Sequence, residues 1–205
     1  MTNRSADMRV RPERIGIFGG TFDPVHLGHL IAAREAAERL RLDRVLLVPA
    51  GRPPHKCRRR LAPAAQRARM VRRAVAGDPL LRFSGVELAS RCASYTVDTL
   101  RSIGRRHPRA RLFLLVGLDQ AALLHTWKDP GTLFALATVC ALARPGFSFA
   151  AIPPRWRRRI VPVPVSAVGI SASAIRARLR RGLTIRNLVP PAVERYIAAE
   201  GLYSP

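Results

Sequence analysis

Two histidines, His26 and His29, stand three residues apart, directly after a Gly19-Gly20 pair and at the start of an amphipathic run. On the first turn of a helix that spacing puts both imidazoles on roughly one face, where they could donate to one phosphate. Gly19 and Gly20 lack a Cβ, so the backbone can turn tightly and bring its N–H groups close to a ligand oxygen. Gly28 gives similar room at the start of the helix, whose N-terminal N–H groups and dipole attract anions. The spacing is neither the GxGxxG of dinucleotide enzymes nor a P-loop. A zinc site would want further ligands, and His55, His107, His125 and three scattered cysteines are poor candidates for it. A second group lies far downstream, where Ser171 and Ser173 suit a helix N-cap and Arg176 follows in the helix. The guanidinium offers a planar fork of donors suited to phosphate, although one more arginine on a basic helix face would look the same.

These groups need a frame. Apolar β-rich runs at 14–18, 44–48, 81–84, 111–116, 138–143 and 160–165 alternate with helical patterns at 28–41, 63–76, 96–106, 119–124 and 130–137. Two more helices are expected at 171–181 and 191–199. Such alternation predicts an α/β fold of βαβ units on a mostly parallel sheet. Continuous apolar runs suit strands covered by helices on both faces. Segments 49–60 and 144–159 read as loops, and the first follows the carboxyl end of a strand, where open parallel sheets bind ligands.

The chain has 205 residues with 48% hydrophobic and 24% charged, enough for one folded domain over 14–205 after a flexible arm over 1–13. The arm has no apolar stretch, which predicts neither a secretory signal nor a membrane anchor. Three cysteines, Cys57, Cys92 and Cys140, form no CxxC pair and suggest a reducing cytoplasm. The net charge of +23 first suggests a polyanionic partner such as nucleic acid. However, 34 of the 36 basic residues are arginine, they are dispersed along the chain, and aromatic residues make up 6%. A basic stripe interleaved with exposed aromatics, as in single-strand binders, is not evident. Most of the arginines, including the 67–73 cluster, read as solvated faces.

The stretch GGTFDPVHLGH at 19–29 resembles the HxGH signature of the nucleotidyltransferase superfamily, in its bacterial nicotinate mononucleotide adenylyltransferase version. ISASAIR at 170–176 is similar to the ISSTxIR signature of that superfamily, with Ser173 in place of threonine. The resemblance implies a Rossmann-like, doubly wound domain with a C-terminal helical segment. It implies that His26 and His29 bind ATP and stabilise a pentavalent transition state, with Arg176 as their catalytic partner. Gly19, Gly20, Thr21, Phe22, Gly28, Ser171 and Ser173 would complete the ATP site.

The acceptor side carries further likenesses. PPHK at 53–56 resembles a loop of the nicotinate enzymes, so that Lys56 would neutralise an acceptor phosphate or a triphosphate oxygen, or else remain a solvated charge. SYTVDTL at 94–100 is similar to another family stretch, which would place Tyr95 and Thr96 at a helix mouth whose N–H groups hold a carboxylate. GLDQAALLHTW at 117–127 resembles the family's GxDxxxxxxxW pattern, offering Asp119 to a ribose hydroxyl and Trp127 to a pyridine ring. Leu118 departs from the smaller or polar residue often found there. The ending Gly201-Leu-Tyr203 supports the likeness rather than the chemistry. Adenylyl transfer from ATP to nicotinate mononucleotide, with Mg²⁺ carried on the phosphates, is the implied reaction in NAD biosynthesis. Nicotinamide mononucleotide and pantetheine phosphate are the alternative acceptors, and the oligomeric state, a homo-oligomer included, is open.

Overall fold

The computed structural model describes residues 11–52, 61–88, 93–143 and 148–204. Six strands form one sheet: β1 (Arg14–Gly20), β2 (Arg44–Pro49), β3 (Leu81–Phe83), β4 (Arg111–Gly117), β5 (Thr138–Ala143) and β6 (Val161–Pro164). Their order is β3-β2-β1-β4-β5-β6, and every neighbouring pair is parallel. Strand order therefore reverses between β1 and β4, and the carboxyl ends of these two strands open the crevice in which such sheets hold ligands.

Side chains alternate between the faces of each strand, which splits the core in two. On one face Phe18, Leu47, Leu115 and Leu142 pack with α1 (Leu27–Leu40), α2 (Ala64–Ala74), α7 (Ala172–Arg180) and α8 (Pro191–Ala199). On the other, Ile15, Ile17, Leu114 and Val139 pack with α3 (Thr96–Arg106), α4 (Leu118–Ala122) and α5 (Pro130–Leu136). Helix α1 buries Ala32, Ala33, Ala36 and Ala37, a stripe of small side chains that lets its backbone lie close over the sheet. Helix α3 buries Val97, Thr99, Leu100 and Ile103 at three-to-four-residue spacing, with Asp98 in the first turn and Arg105 and Arg106 in the last, as the helix dipole favours.

The sheet is parallel throughout the described strands, in keeping with the expected α/β fold. The structure corrects three expectations. Gly19 and Gly20 are still in β1, paired with Val48 and Pro49, so the turn falls one step later, where Phe22 takes a positive φ of 49°. Segment 144–159 is not all loop: residues Phe149–Ala151 form a 3₁₀ turn and Pro154–Arg157 form α6, started by a proline whose missing N–H costs nothing at a helix N-terminus. Finally, Arg67 is buried at 2% exposure rather than solvated. Its Nε, Nη1 and Nη2 donate to the carbonyls of Ala62, Thr21 and Gly51, joining the ends of β1 and β2 to the start of α2.

Of the expected N-terminal arm, Arg11 pairs with Asp43, and Glu13 pairs with Arg44 while its carbonyl accepts from the Arg111 amide. Residues 1–10 lie outside the described part, as do residues 53–60 with Lys56.

Candidate active site

At the end of β1 the chain folds back tightly on itself. A Cβ on Gly20 would lie 2.9 Å from the Phe22 ring, so glycine is what lets that ring turn inward. Phe22 then packs edge-on against His29, with ring centroids 5.0 Å apart, and against Phe18. His26 is the extended N-cap residue of α1, and its N–H donates to Nδ1 of His29 at 3.2 Å. An Nδ1 that accepts carries no proton, so the neutral ring has its N–H at Nε2. The two imidazoles lie against one another with centroids 3.7 Å apart and planes tilted by 32°. The expected common face is thus present. Gly28 gives this pair room: a Cβ there would press on His26 Nδ1 at 3.1 Å. Gly19, by contrast, faces open space.

The second motif abuts the first. The carbonyl of Ile170, just before α7, comes within 3.7 Å of the Gly28 Cβ position. Ser171 is the N-cap of α7, its Oγ accepting from the Ala174 N–H at 3.2 Å and lying 3.1 Å from Ser173 Oγ. Capping is therefore a real duty of Ser171, and both hydroxyls remain exposed. Arg176 reaches back to the turn after β1, where Nη1 donates to the Asp23 carbonyl at 2.6 Å and lies 3.6 Å from Asp23 Oδ2. Residues about 150 apart in sequence thus meet at one end of the sheet.

Beside this region, at the carboxyl ends of β1 and β4, is a cavity of about 240 Å³. Gly19, Gly20 and Thr21 form one wall and Gly117 another, while Tyr95, Thr96 and Trp127 come from the opposite face of the sheet. Tyr95 is the N-cap of α3, and its side chain makes no capping hydrogen bond. Its first-turn N–H groups, beside Thr96, are oriented for an anion. Lys128 adds positive charge, its Nζ lying 4.6 Å from the Tyr95 ring centroid and 3.1 Å from Asp98 Oδ2.

Asp119 is not a lining residue. Its Oδ1 instead folds over Gly117, 2.5 Å from where a Cβ would sit, and its Oδ2 accepts from the amide of Gln120, which does line the cavity. Leu118 is buried in the core at 4% exposure, so this departure from the family pattern is a packing residue and not part of the wall.

Sequence reasoning passed over Glu87, Ser94, Thr99 and Lys128, all of which line the cavity. Glu87 accepts from Thr99 Oγ1 at 2.7 Å, and burial pushes its carboxyl above the ordinary range, against the pull of Thr99, Ser94 and the Gly51 amide. Ser94 Oγ in turn accepts from the Gly51 and Arg52 amides, tying the end of β2 to the entrance of α3. Asp23 was also missed as a hub. The signal available in sequence was polar residues placed just before or within the first turn of a helix that follows a strand. Among the described residues no group of three or more His, Cys, Asp or Glu could hold a metal ion, and no helix is long and apolar enough to cross a membrane.

A parallel sheet in this strand order, with a histidine pair at its switch point and a serine-arginine helix closing on it, defines a nucleotidyltransferase. The chain belongs to the cytidylyltransferase-like family, whose sequence pattern matches residues 17–178. It is 49% identical over 190 residues to the "Probable nicotinate-nucleotide adenylyltransferase" of Thermus thermophilus, covering 93% of this chain and 99% of that one. The protein of the same name from Thermomicrobium roseum is 44% identical over 196 residues, covering 93% and 91%. Among solved structures, the Plasmodium falciparum nicotinic acid mononucleotide adenylyltransferase complexed with NaAD superposes with a TM-score of 0.72 at 18% identity, over 93% of this chain and 97% of that one, a likeness of fold.

Proposed function

We propose that the protein is a nicotinate-nucleotide adenylyltransferase, moving AMP from ATP to nicotinate mononucleotide and releasing pyrophosphate. One observation carries the reading: the histidine pair and the cavity under the N-terminus of α3 lie on either side of the same strand end, Gly19 to Thr21. A triphosphate laid over the histidines and a pyridine nucleotide in the cavity would meet there. This reading agrees with the names of the relatives.

An acceptor phosphate oxygen attacks the α-phosphorus in line, the new P–O bond forms, and the bond to the β-phosphate oxygen breaks. The acceptor is already an anion near neutral pH, so no side-chain nucleophile or strong base is needed. Alignment and charge stabilisation carry the rate. His29 donates from Nε2 to the triphosphate, His26 supports it from the helix cap, and Arg176 neutralises the phosphates from α7. Mg²⁺ suits phosphate oxygens and water better than a protein cage. Asp23, the carboxylate nearest Arg176, is committed to Tyr203 and the Ala62 amide, which fits a metal ion that arrives on ATP. When bound, Mg²⁺ would add positive charge to the reacting phosphates.

In the cavity, the N–H groups at the start of α3 would hold the nicotinate carboxylate while Trp127 stacks on the ring. An amide offers that helix end neither the charge nor two acceptor oxygens. The raised carboxyl of Glu87 favours its protonated form, which limits repulsion of an anionic acceptor. Burial pushes the pKa of the Cys140 thiol up to about 12, so it stays protonated and unreactive. The test is pyrophosphate release with ATP and each of nicotinate mononucleotide, nicotinamide mononucleotide and pantetheine phosphate. Release with the first, accompanied by the dinucleotide, is expected; release with pantetheine phosphate alone would overturn the reading.

A further inference from the structure

Asp23 joins three segments that are distant in sequence. Its Oδ1 accepts from the Tyr203 hydroxyl at 2.7 Å and from the Ala62 N–H at 3.1 Å. Its backbone carbonyl accepts from Arg176 Nη1 at 2.6 Å. Its other carboxylate oxygen, Oδ2, is buried without a hydrogen-bond partner among the described residues and stands 3.6 Å from the same Nη1. A buried carboxylate oxygen left in that state is costly, so there is a standing drive for the carboxylate and the guanidinium to close on one another. What opposes the closure is the clamp on Oδ1.

The clamp comes from the end of the chain. After α8, Gly201 at φ 58° and Tyr203 at φ 66° turn the backbone back toward the sheet. A left-handed tyrosine is uncommon and persists where its surroundings hold it. Leu202 anchors the same turn by burying its side chain in the core at 9% exposure. Burial and the neighbouring Asp23 push the Tyr203 hydroxyl upward, so it remains a protonated donor.

We propose that Tyr203 is a positioning residue for the reaction: its hydroxyl fixes the Asp23 carboxylate short of Arg176 and thereby leaves the rest of that guanidinium to the triphosphate. The proposal rests on the reading of Arg176 as a phosphate ligand. Without the hydroxyl, Asp23 swings onto Arg176 and draws it away from the nucleotide.

Titration calorimetry of the full chain with ATP alone tests this. Tyr203→Phe should weaken ATP binding about 5-fold, and should have no further effect in an Arg176→Ala background, as expected for neighbours that act through one network. As a control for stability alone, Val139→Ala, in the core on the other face of the sheet, should lower the melting temperature while leaving ATP affinity unchanged. Should Tyr203→Phe also melt early, the same substitution in an Asp23→Asn background separates the causes: with no carboxylate charge to capture Arg176, loss of the hydroxyl should no longer weaken ATP binding. Unchanged ATP affinity in Tyr203→Phe, or an equal loss with and without Arg176, would overturn the proposal. A wild-type protein that binds ATP but fails to adenylylate nicotinate mononucleotide would instead count against the functional reading alone.

Discussion

The two halves of the site are built differently. The phosphate half is made of two continuous stretches, 19–29 and 170–176, whose groups are tied by short contacts: His26 to His29, Phe22 to His29, Arg176 to Asp23. The acceptor half is a cavity whose walls come from the ends of β1, β2 and β4, the mouth of α3 and the turn at Trp127. In the first half, geometry within each stretch is imposed by neighbours in sequence, and the bond from Arg176 to Asp23 joins the two stretches. In the second, it is imposed by strand order, because β1 and β4 are adjacent only through the sheet. On the proposed reading, charge alignment for catalysis would belong to the first half, and choice of acceptor to the second.

That division can be broken experimentally, and the largest effect should come from the phosphate half. His29→Ala removes a donor to the transition state and should lower kcat about 100-fold with the melting temperature little changed. Turnover near normal would detach the histidine pair from the chemistry. The two glycines of β1 should separate next. Gly20→Ala collides with the buried Phe22 ring and should lower both melting temperature and activity, whereas Gly19→Ala meets no protein atom and should reduce activity at full stability. Thermal melts beside steady-state rates read both.

In the acceptor half, Trp127→Ala should raise the KM for nicotinate mononucleotide about 10-fold, with the KM for ATP unmoved, through loss of stacking and buried area. A parallel rise in both constants would show that the halves are not separable. The smallest effect concerns Glu87, whose carboxyl is raised in the folded state by burial from an ordinary value of 4.5. The folded protein then binds the proton more tightly than the unfolded chain does. The group's contribution to stability is full below pH 4.5 and is lost as pH rises through its folded value. Glu87→Gln should remove that slope, so that melting temperatures of variant and wild type diverge in favour of the variant as pH rises from about 4.5 toward neutrality.

The same contrast explains what could be read in advance. All six strands and seven of the eight helices follow from apolar periodicity and helix signals, since buried strands and amphipathic helices write themselves into local sequence. Short α6 escaped because four residues carry no period. His26, His29 and Ser171 were legible because spacing places them on one face or at one cap, whereas Arg176 stood out from the other arginines only through the resemblance of its motif. Glu87 and Thr99 were not, because their meeting with Gly19 and Gly117 depends on how β1 and β4 sit side by side. The conformation of Asp119 was not legible for a similar reason: its carboxylate folds over Gly117 while Gln120 lines the cavity. Arg67 looked like one of many surface arginines, and only the three carbonyls converging on it reveal why it is inside.

The most direct test of the central claim is acceptor discrimination by the wild-type enzyme, measured as kcat/KM for nicotinate and nicotinamide mononucleotides at saturating ATP. An acceptor cavity capped by the N-terminus of α3 predicts a preference for nicotinate of at least about 10-fold, the scale of one charge-assisted hydrogen bond or more. Equal values for the two acceptors, or a preference for the amide, would contradict it.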